Sequence, residues 1–260
     1  MRYIRIWLQL AKINFTKIYG YSRLEAIFLV LAKVIRFAFF FVFIFALVGN
    51  IKTLVGFDLV QVLLFYMTFN LIDITVQFLL RGIYSVRDYM QNGTVDLALT
   101  QPLNFMFRIA SDWIDFLDFL TLIPLLFVLG LVMANLPGFS LLNLFVYALL
   151  ILNAFLIALS IHMVVLGVSL ISQETSGEIW IYRDLVTMGR FPSDIFPLGI
   201  QFVLTYILPV VVMVSLPAKA LIGVLSPQAL IIALSVGIFS YLLGTNFLRF
   251  ALRRYSSISS

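Results

Sequence analysis

The chain has no cysteine and a single histidine, His162, in 260 residues, and only 11% of it is charged. Without cysteine there are no disulfides and no thiolate chemistry. One histidine excludes a multi-histidine metal site. The sequence also lacks a G-x-x-x-x-G-K-[ST] phosphate loop, a G-x-G-x-x-G turn and an H-E-x-x-H pair, so nothing in it would bind or hydrolyse ATP. The deep acid Asp73 has no catalytic partner in the sequence, so the chain is read as no enzyme. No loop reaches the length of about 50 residues that a separate soluble domain needs. The start does not read as a signal peptide, because Arg2, Arg5, Lys12, Lys17 and Arg23 are scattered through it rather than clustered before an apolar core.

What is present is apolar. Hydrophobic residues make up 63% of the chain, which water cannot solvate as a surface. The fold class is therefore an all-α integral membrane protein, organised as one domain over residues 1–260. A helix crossing the hydrocarbon core needs about 20 residues, and the runs 27–48, 59–80, 113–134, 141–162, 196–216 and 229–248 predict six transmembrane helices. Continuous rather than alternating apolar runs disfavour a barrel.

The basic residues set the orientation. They fall in the N-terminal segment, in the loop with Arg81, Arg87 and Arg108, in the loop with Arg183 and Arg190, and at Arg249, Arg253 and Arg254. The other loops hold only Lys52 and Lys219. The positive-inside rule then places both termini in the cytoplasm, and the net charge of +5 reads as contact with anionic lipid rather than nucleic acid.

Residues 4–18, within an interfacial segment 1–25, carry Ile4, Trp7, Leu8, Ala11, Phe15 and Ile18 at helical spacing, with Arg5, Gln9, Lys12 and Thr16 opposite. This predicts an amphipathic helix in the headgroup layer. The loop 82–108 contains Asn92-Gly93, a turn signal, and Thr94, which can cap a short helix with Asp96 in its first turn. Pro102 ends that helix. It reads either as a docking knob or as an ordinary surface loop. Glu178 to Met188 predicts a second short interfacial helix. The segment 208–228 stays apolar but is broken by Pro209, Pro217 and Pro227, which fits an outer re-entrant hairpin before the last span.

Three groups of polar residues stand inside or beside the spans. Asp73 lies in the second span with Asn70 and Gln77 on a similar face, and Lys33 and Arg36 reach a similar depth in the first. An intramembrane ion pair of Lys33 and Arg36 with Asp73, a substrate or proton path, and snorkelling to the interface are the three readings. Asp112, Asp115 and Asp118 favour a helix N-terminus, with Arg108 one turn before Asp112. They read as a contact for a basic partner surface more than as a metal site. His162 reads as a hydrogen-bonded packing residue, and Pro124 as a kink in the third span.

Gly93-Thr94-Val95-Asp96-Leu97-Ala98-Leu99-Thr100-Gln101-Pro102-Leu103 and Gly189-Arg190-Phe191-Pro192, continuing through Pro197, Pro209 and Pro217-Ala218, resemble a bacterial exporter-type ABC transporter permease of the type-2 superfamily. Within it the resemblance is to a group of roughly 260 residues often encoded beside a second permease and an ATPase. The resemblance implies a coupling helix at 94–99, with Thr94, Val95, Asp96, Leu97 and Leu99 as the ATPase-coupling residues. It implies an N-terminal connecting helix and the 208–228 hairpin closing the path. It also implies two ABC ATP-binding subunits per complex and a second permease, the same chain or a homologue. ATP and Mg would sit on the ATPase, with no cofactor in this chain. The location would be the bacterial inner membrane. The Phe-rich, charge-poor spans suit a lipid, drug or hydrophobic peptide moved outward. A gradient-driven transporter or channel using Asp73 is the alternative.

Overall fold

The computed structural model describes residues 2–18, isolated positions between 27 and 46, and residues 53–172 and 178–256. Lys33, Arg36 and most of the expected first span lie outside the described residues. Regular structure among the described residues is helical, apart from an isolated bridge between Leu54 and Phe57. Helices starting at Leu59, Phe116, Leu141 and Pro227 are long and apolar enough to cross a membrane. A fifth candidate is the pair Leu198–Ile207 and Val211–Ile222, bent by 85°.

Helix α1 (Arg2–Ile18) carries three stripes. Trp7, Ala11 and Asn14 face the protein, with Trp7 edge-on to Phe78 at 5.8 Å and the Asn14 amide donating to the Asp112 carbonyl at 3.1 Å. Ile4 and Leu8 stay exposed, and Arg5, Gln9 and Lys12 form the polar side. An apolar stripe left outside a packed helix is what an interfacial helix presents to lipid.

Helix α2 (Leu59–Leu80) begins where expected because Asp58 and Gln61 form a reciprocal capping box, at 2.9 and 3.1 Å. It is apolar all round along its first half and buried from Val62 to Asn70, so it occupies the centre. After a tight turn, Arg81–Ser85, come three short helices: α3 (Val86–Gln91), α4 (Thr94–Thr100) and α5 (Phe105–Ala110). Helix α6 (Phe116–Ala134) packs on α2 and contains Pro124. It starts at Phe116 rather than 113 because Asp115 caps it, accepting from Leu117 N–H at 2.9 Å.

Helix α7 (Leu141–Ser172) outruns its expected end at 162 by ten residues. Hydropathy marks only the stretch that lipid requires; the last turns of α7 bury Met163, Leu166 and Leu170 against the short helices instead. Its main partner is α11 (Pro227–Arg254). The Asn153 amide donates to the Ala233 carbonyl at 2.9 Å, and the Ser160 hydroxyl donates to the Ser240 carbonyl. Asn153 faces Gly237, Ser160 faces Gly244 and Gly167 faces Ala251. These numbers rise together by sevens, so the helices run parallel along a small-residue seam.

Two parallel helices require a return between them, and Gly223 next to Asn143 shows that it covers most of α7. Helix α8 (Glu178–Val186) starts it, followed by a tight turn Thr187–Arg190 whose Arg190 lies over the Phe69 ring at 5.1 Å. Then come α9 (Leu198–Phe202), wide π-turns at Val203–Ile207 and Val211–Ser215, and α10 (Leu216–Ile222).

This part departs from the sequence reading. The predicted straight span 196–216 is broken at Leu208–Val210, where Pro209 has no N–H to continue a helix. Asp194 and Lys219, which flank opposite ends of that predicted span, are paired at 2.7 Å. The stretch 187–195 therefore climbs beside α2 rather than staying in a loop at the α3–α5 end. Of the other hairpin prolines, Pro227 is the first residue of α11, where a missing N–H costs nothing, whereas Pro217 lies inside the continuous helical run Val211–Ile222, where the π-turn passes into α10.

Candidate functional site

The short helices α3–α5 gather at one end of the bundle, where α4 buries one side and exposes the other. Gly93 precedes it with φ +70°, a left-handed conformation that glycine adopts without strain. The expected Thr94 cap is not used. Thr94 is already the first helical residue, and no side-chain cap bond forms. Val95 and Ala98, one turn apart, are fully buried against Met90, Met106, Ile109 and the ends of α7 and α11. Val95 was expected on a contacting surface; its place on the inward stripe makes it an anchor instead. Leu97, 63% exposed, and Leu99 point outward, with Thr94 and Asp96 half-buried between. Tyr255, just past α11, sits by Asp96; burial first and the Asp96 carboxylate second push its hydroxyl up to about 12.

The far side of α4 is fastened. Arg108 donates to Gln101 at 2.9 Å and to Asp112 at 2.6 Å, which bears out the Arg108–Asp112 pairing and ties the end of α4 to α5 and the turn after it. Gly82 lies so close to the Ile109 and Ala110 carbonyls that a side chain there would collide with them. The 81–85 turn and α5 therefore move as one piece.

A polar ladder climbs α2 from this turn. Gln77 donates to Asp73 at 2.8 Å, and Arg81 donates to Gln77 at 3.1 Å. Arg81 also lies 3.8 Å from Asp115 and 3.6 Å from the buried Asp118 on α6. Asp73, Gln77 and Arg81 fall one turn apart, which is why one helix face carries them all. The three aspartates of the 112–118 run thus divide between two cations, Arg108 and Arg81, instead of converging. Among the described residues no group of three acidic or histidine side chains is placed to hold a metal.

Beside the ladder is an aromatic junction that sequence reasoning missed. Tyr84 stacks on His162 at 5.9 Å with 12° between planes, and Tyr182 meets His162 edge-on at 5.3 Å. Arg183 lies over Tyr84 at 5.8 Å and over Trp180 at 5.4 Å, and Arg81 caps Tyr84 from its own turn at 5.9 Å. His162 is fully buried, and its Nδ1–H donates to the Ala158 carbonyl at 2.7 Å. Three elements meet there: the 81–85 turn, α7 and α8. The only sequence signal was the density of aromatics and arginines around 180–183. The small-residue seam was also missed, although Gly237 and Gly244 seven apart could have shown it.

Several apolar helices able to cross a membrane, with amphipathic and short docked helices gathered at one end, define a multi-span membrane protein rather than an isolated anchor. The chain belongs to a particular transporter family: the family model described as ABC-2 family transporter protein matches residues 34–259. No curated protein and no solved structure matches the chain.

Proposed function

We propose that this chain is the membrane-spanning permease subunit of an ATP-driven ABC exporter. It pairs with a second permease, the same or homologous, and with two ATP-binding subunits that carry ATP and Mg. It has six spans, the first over 27–48, lies in the bacterial inner membrane with both termini cytoplasmic, and moves a lipid, drug or hydrophobic peptide outward. Its fifth span, 196–216, bends at Pro209, and 208–228 is its outer re-entrant hairpin.

The observation that carries the proposal is the placement of α4. It is anchored by Val95 and Ala98, yet holds Leu97 and Leu99 out. An exposed apolar pair on a rigidly backed helix suits insertion into a partner's groove. Arg81, Arg87 and Arg108 at the same end, with Arg249, Arg253 and Arg254 of α11, agree with a cytoplasmic location. Asp73 hydrogen-bonded within the ladder suits a structural role and gives the gradient-driven alternative no separate support.

The test is co-purification of the tagged chain with its ATPase in mild detergent, followed by reconstitution. Thr94, Asp96 and Leu97 variants should retain the complex's basal hydrolysis and lose transport per ATP. Full coupling in Leu97→Asp, or a clean homomer transporting without any ATPase, refutes the assignment.

A further inference from the structure

A pocket of about 480 Å³ opens between α7, α11 and the Pro209 bend. It is separate from α4 and from the polar ladder. The volume is in the range of small-molecule sites, roughly 300–1,000 Å³. Wide π-turns flank Pro209 on either side of the bend.

Its walls are chiefly apolar: Ile161 and Val164 on α7, Phe239 and Leu243 on α11, and Leu208 and Pro209 on the bend. The Ser160 hydroxyl at its floor already donates to the Ser240 carbonyl. Four hydroxyls, of Ser160, Tyr206, Ser235 and Ser240, belong to the lining; at two to four polar partners for each buried water, they are too few for water to fill the volume. The rim is also apolar: Ile207 and Phe239 are both largely exposed. In helices that cross a membrane, exposure at that position is exposure to hydrocarbon. What lies at the mouth of the pocket is the acyl region of the bilayer.

The same face of α11 supplies a charge at headgroup distance. Arg254 lies eleven residues past Leu243, three helical turns along the same face and about 16 Å away. Half a hydrocarbon core is about 15 Å. Arg254 is exposed and lies over the Phe250 ring at 5.5 Å, and Arg249 and Arg253 are exposed beside it. An acyl chain seated in the pocket would bring its phosphate to that cluster.

We infer that this pocket holds one acyl chain of an anionic phospholipid from the leaflet at the α3–α5 end, with its phosphate paired to Arg254. The site does not depend on what the protein transports.

The test reconstitutes the full chain, with any subunits that accompany it, in phosphatidylglycerol–phosphatidylethanolamine vesicles containing phosphatidylglycerol with a diazirine midway along one acyl chain. Photolabelled peptides are mapped by mass spectrometry. Label should concentrate on 206–209 and 235–243, several-fold above the exposed α6 residues Phe127 and Leu131. Ser235 is exposed at the pocket's edge, so Ser235→Trp should fill the recess without disturbing the seam, and abolish pocket labelling while α6 labelling persists. Val236→Phe serves as the second filling variant, each checked for unchanged elution. Arg254→Gln should lower the preference for the phosphatidylglycerol probe over a phosphatidylcholine probe by about fivefold. Even labelling along all exposed helices, or pocket labelling that survives both filling variants, would overturn the site. A pocket that stays unlabelled while α6 is labelled would also overturn it, giving the recess to a protein contact. An unchanged lipid preference in Arg254→Gln would overturn the headgroup assignment.

Discussion

Gly244→Ala should be among the most damaging one-carbon changes in this chain. A Cβ at 244 would sit 2.5 Å from the Ser160 hydroxyl, 2.7 Å from the Ser160 carbonyl oxygen and 2.9 Å from its Cα. Ordinary contact starts at 3.4 Å, so α7 and α11 must part by about 0.7 Å to clear the Ser160 carbonyl oxygen at 2.7 Å. Two of those three atoms belong to backbone, which cannot rotate aside. Overpacking of a tight contact costs about 1–3 kcal/mol. The Ser160–Ser240 hydrogen bond would be stretched as well, and such bonds between membrane helices contribute about 0.6 and at most ~1.7 kcal/mol. The expected loss is about 2–4 kcal/mol, or a Tm lower by roughly 5–15 °C for a chain of this size. Gly237→Ala is the control: its three nearest neighbours are all atoms of the Asn153 side chain. Asn153 can rotate away at the cost of its bond to Ala233, so Gly237→Ala should cost less. Asn153→Ala should rescue it, giving a coupling energy in a double-mutant cycle. Ser160→Gly should fail to rescue Gly244→Ala, because the backbone contact remains. The measurement is unfolding of purified protein in mixed micelles, read by tryptophan fluorescence. Equal costs for the two glycine variants, or full rescue by Ser160→Gly, would refute the parallel close-packed seam.

Arg81→Ala should cost about 2–3 kcal/mol in the same assay, because it takes the cation from buried Asp118. This is below the ~3–5 kcal/mol of a fully buried pair, since Arg81 is partly exposed. Arg81→Lys should recover part of the loss, and a neutral Arg81→Ala variant would mean the ladder adds nothing to stability. Val95→Ala should cost about 1–2 kcal/mol through its buried methyl groups, while Leu97→Ala should stay within about 0.5 kcal/mol and change only coupling. A reversal of that order would mean α4 is seated the other way round. Because the chain has no cysteine, Asp194→Cys with Lys219→Cys can be tested without background for joining by a short bifunctional thiol reagent. A joined pair is expected from the 2.7 Å contact, and absence of joining would return the two residues to opposite sides of the membrane.

The parts legible in the sequence are those fixed locally. Helix α2 begins where expected because its capping box and its apolar run meet at Asp58. The turn before α4 follows from Asn92-Gly93, and Arg108 finds Asp112 one helical turn away. What stayed illegible depends on partners distant in sequence. The charge rule counts lysines and arginines loop by loop and cannot see that Lys219 reaches Asp194. Hydropathy ends the fourth span at 162, but α7 continues because α4 and α5 cover it. Helical spacing places Val95 beside Leu97 and Thr94, yet only the packed bundle decides which stripe turns inward.

The arrangement around Tyr84 constrains how a push on α4 could travel. Helix α4 is held to α5, because Arg108 of α5 bonds Gln101 at its end and Val95 and Ala98 are buried with α5. Helix α5 cannot leave the 81–85 turn, because Gly82 leaves no gap to its carbonyls. Displacement of α4 therefore carries Arg81 and Tyr84 with it. Arg81 is braced against Asp115 and Asp118, so the compliant contact is the planar stack of Tyr84 on His162, which can slide without breaking a hydrogen bond. Trp180 and Tyr182 of α8 contact the same two rings, and α8 leads through Arg190 and the Asp194–Lys219 pair to the bent segment at Pro209. On the proposed reading this makes the Tyr84–His162 stack the place where motion of α4 divides between α7 and the hairpin.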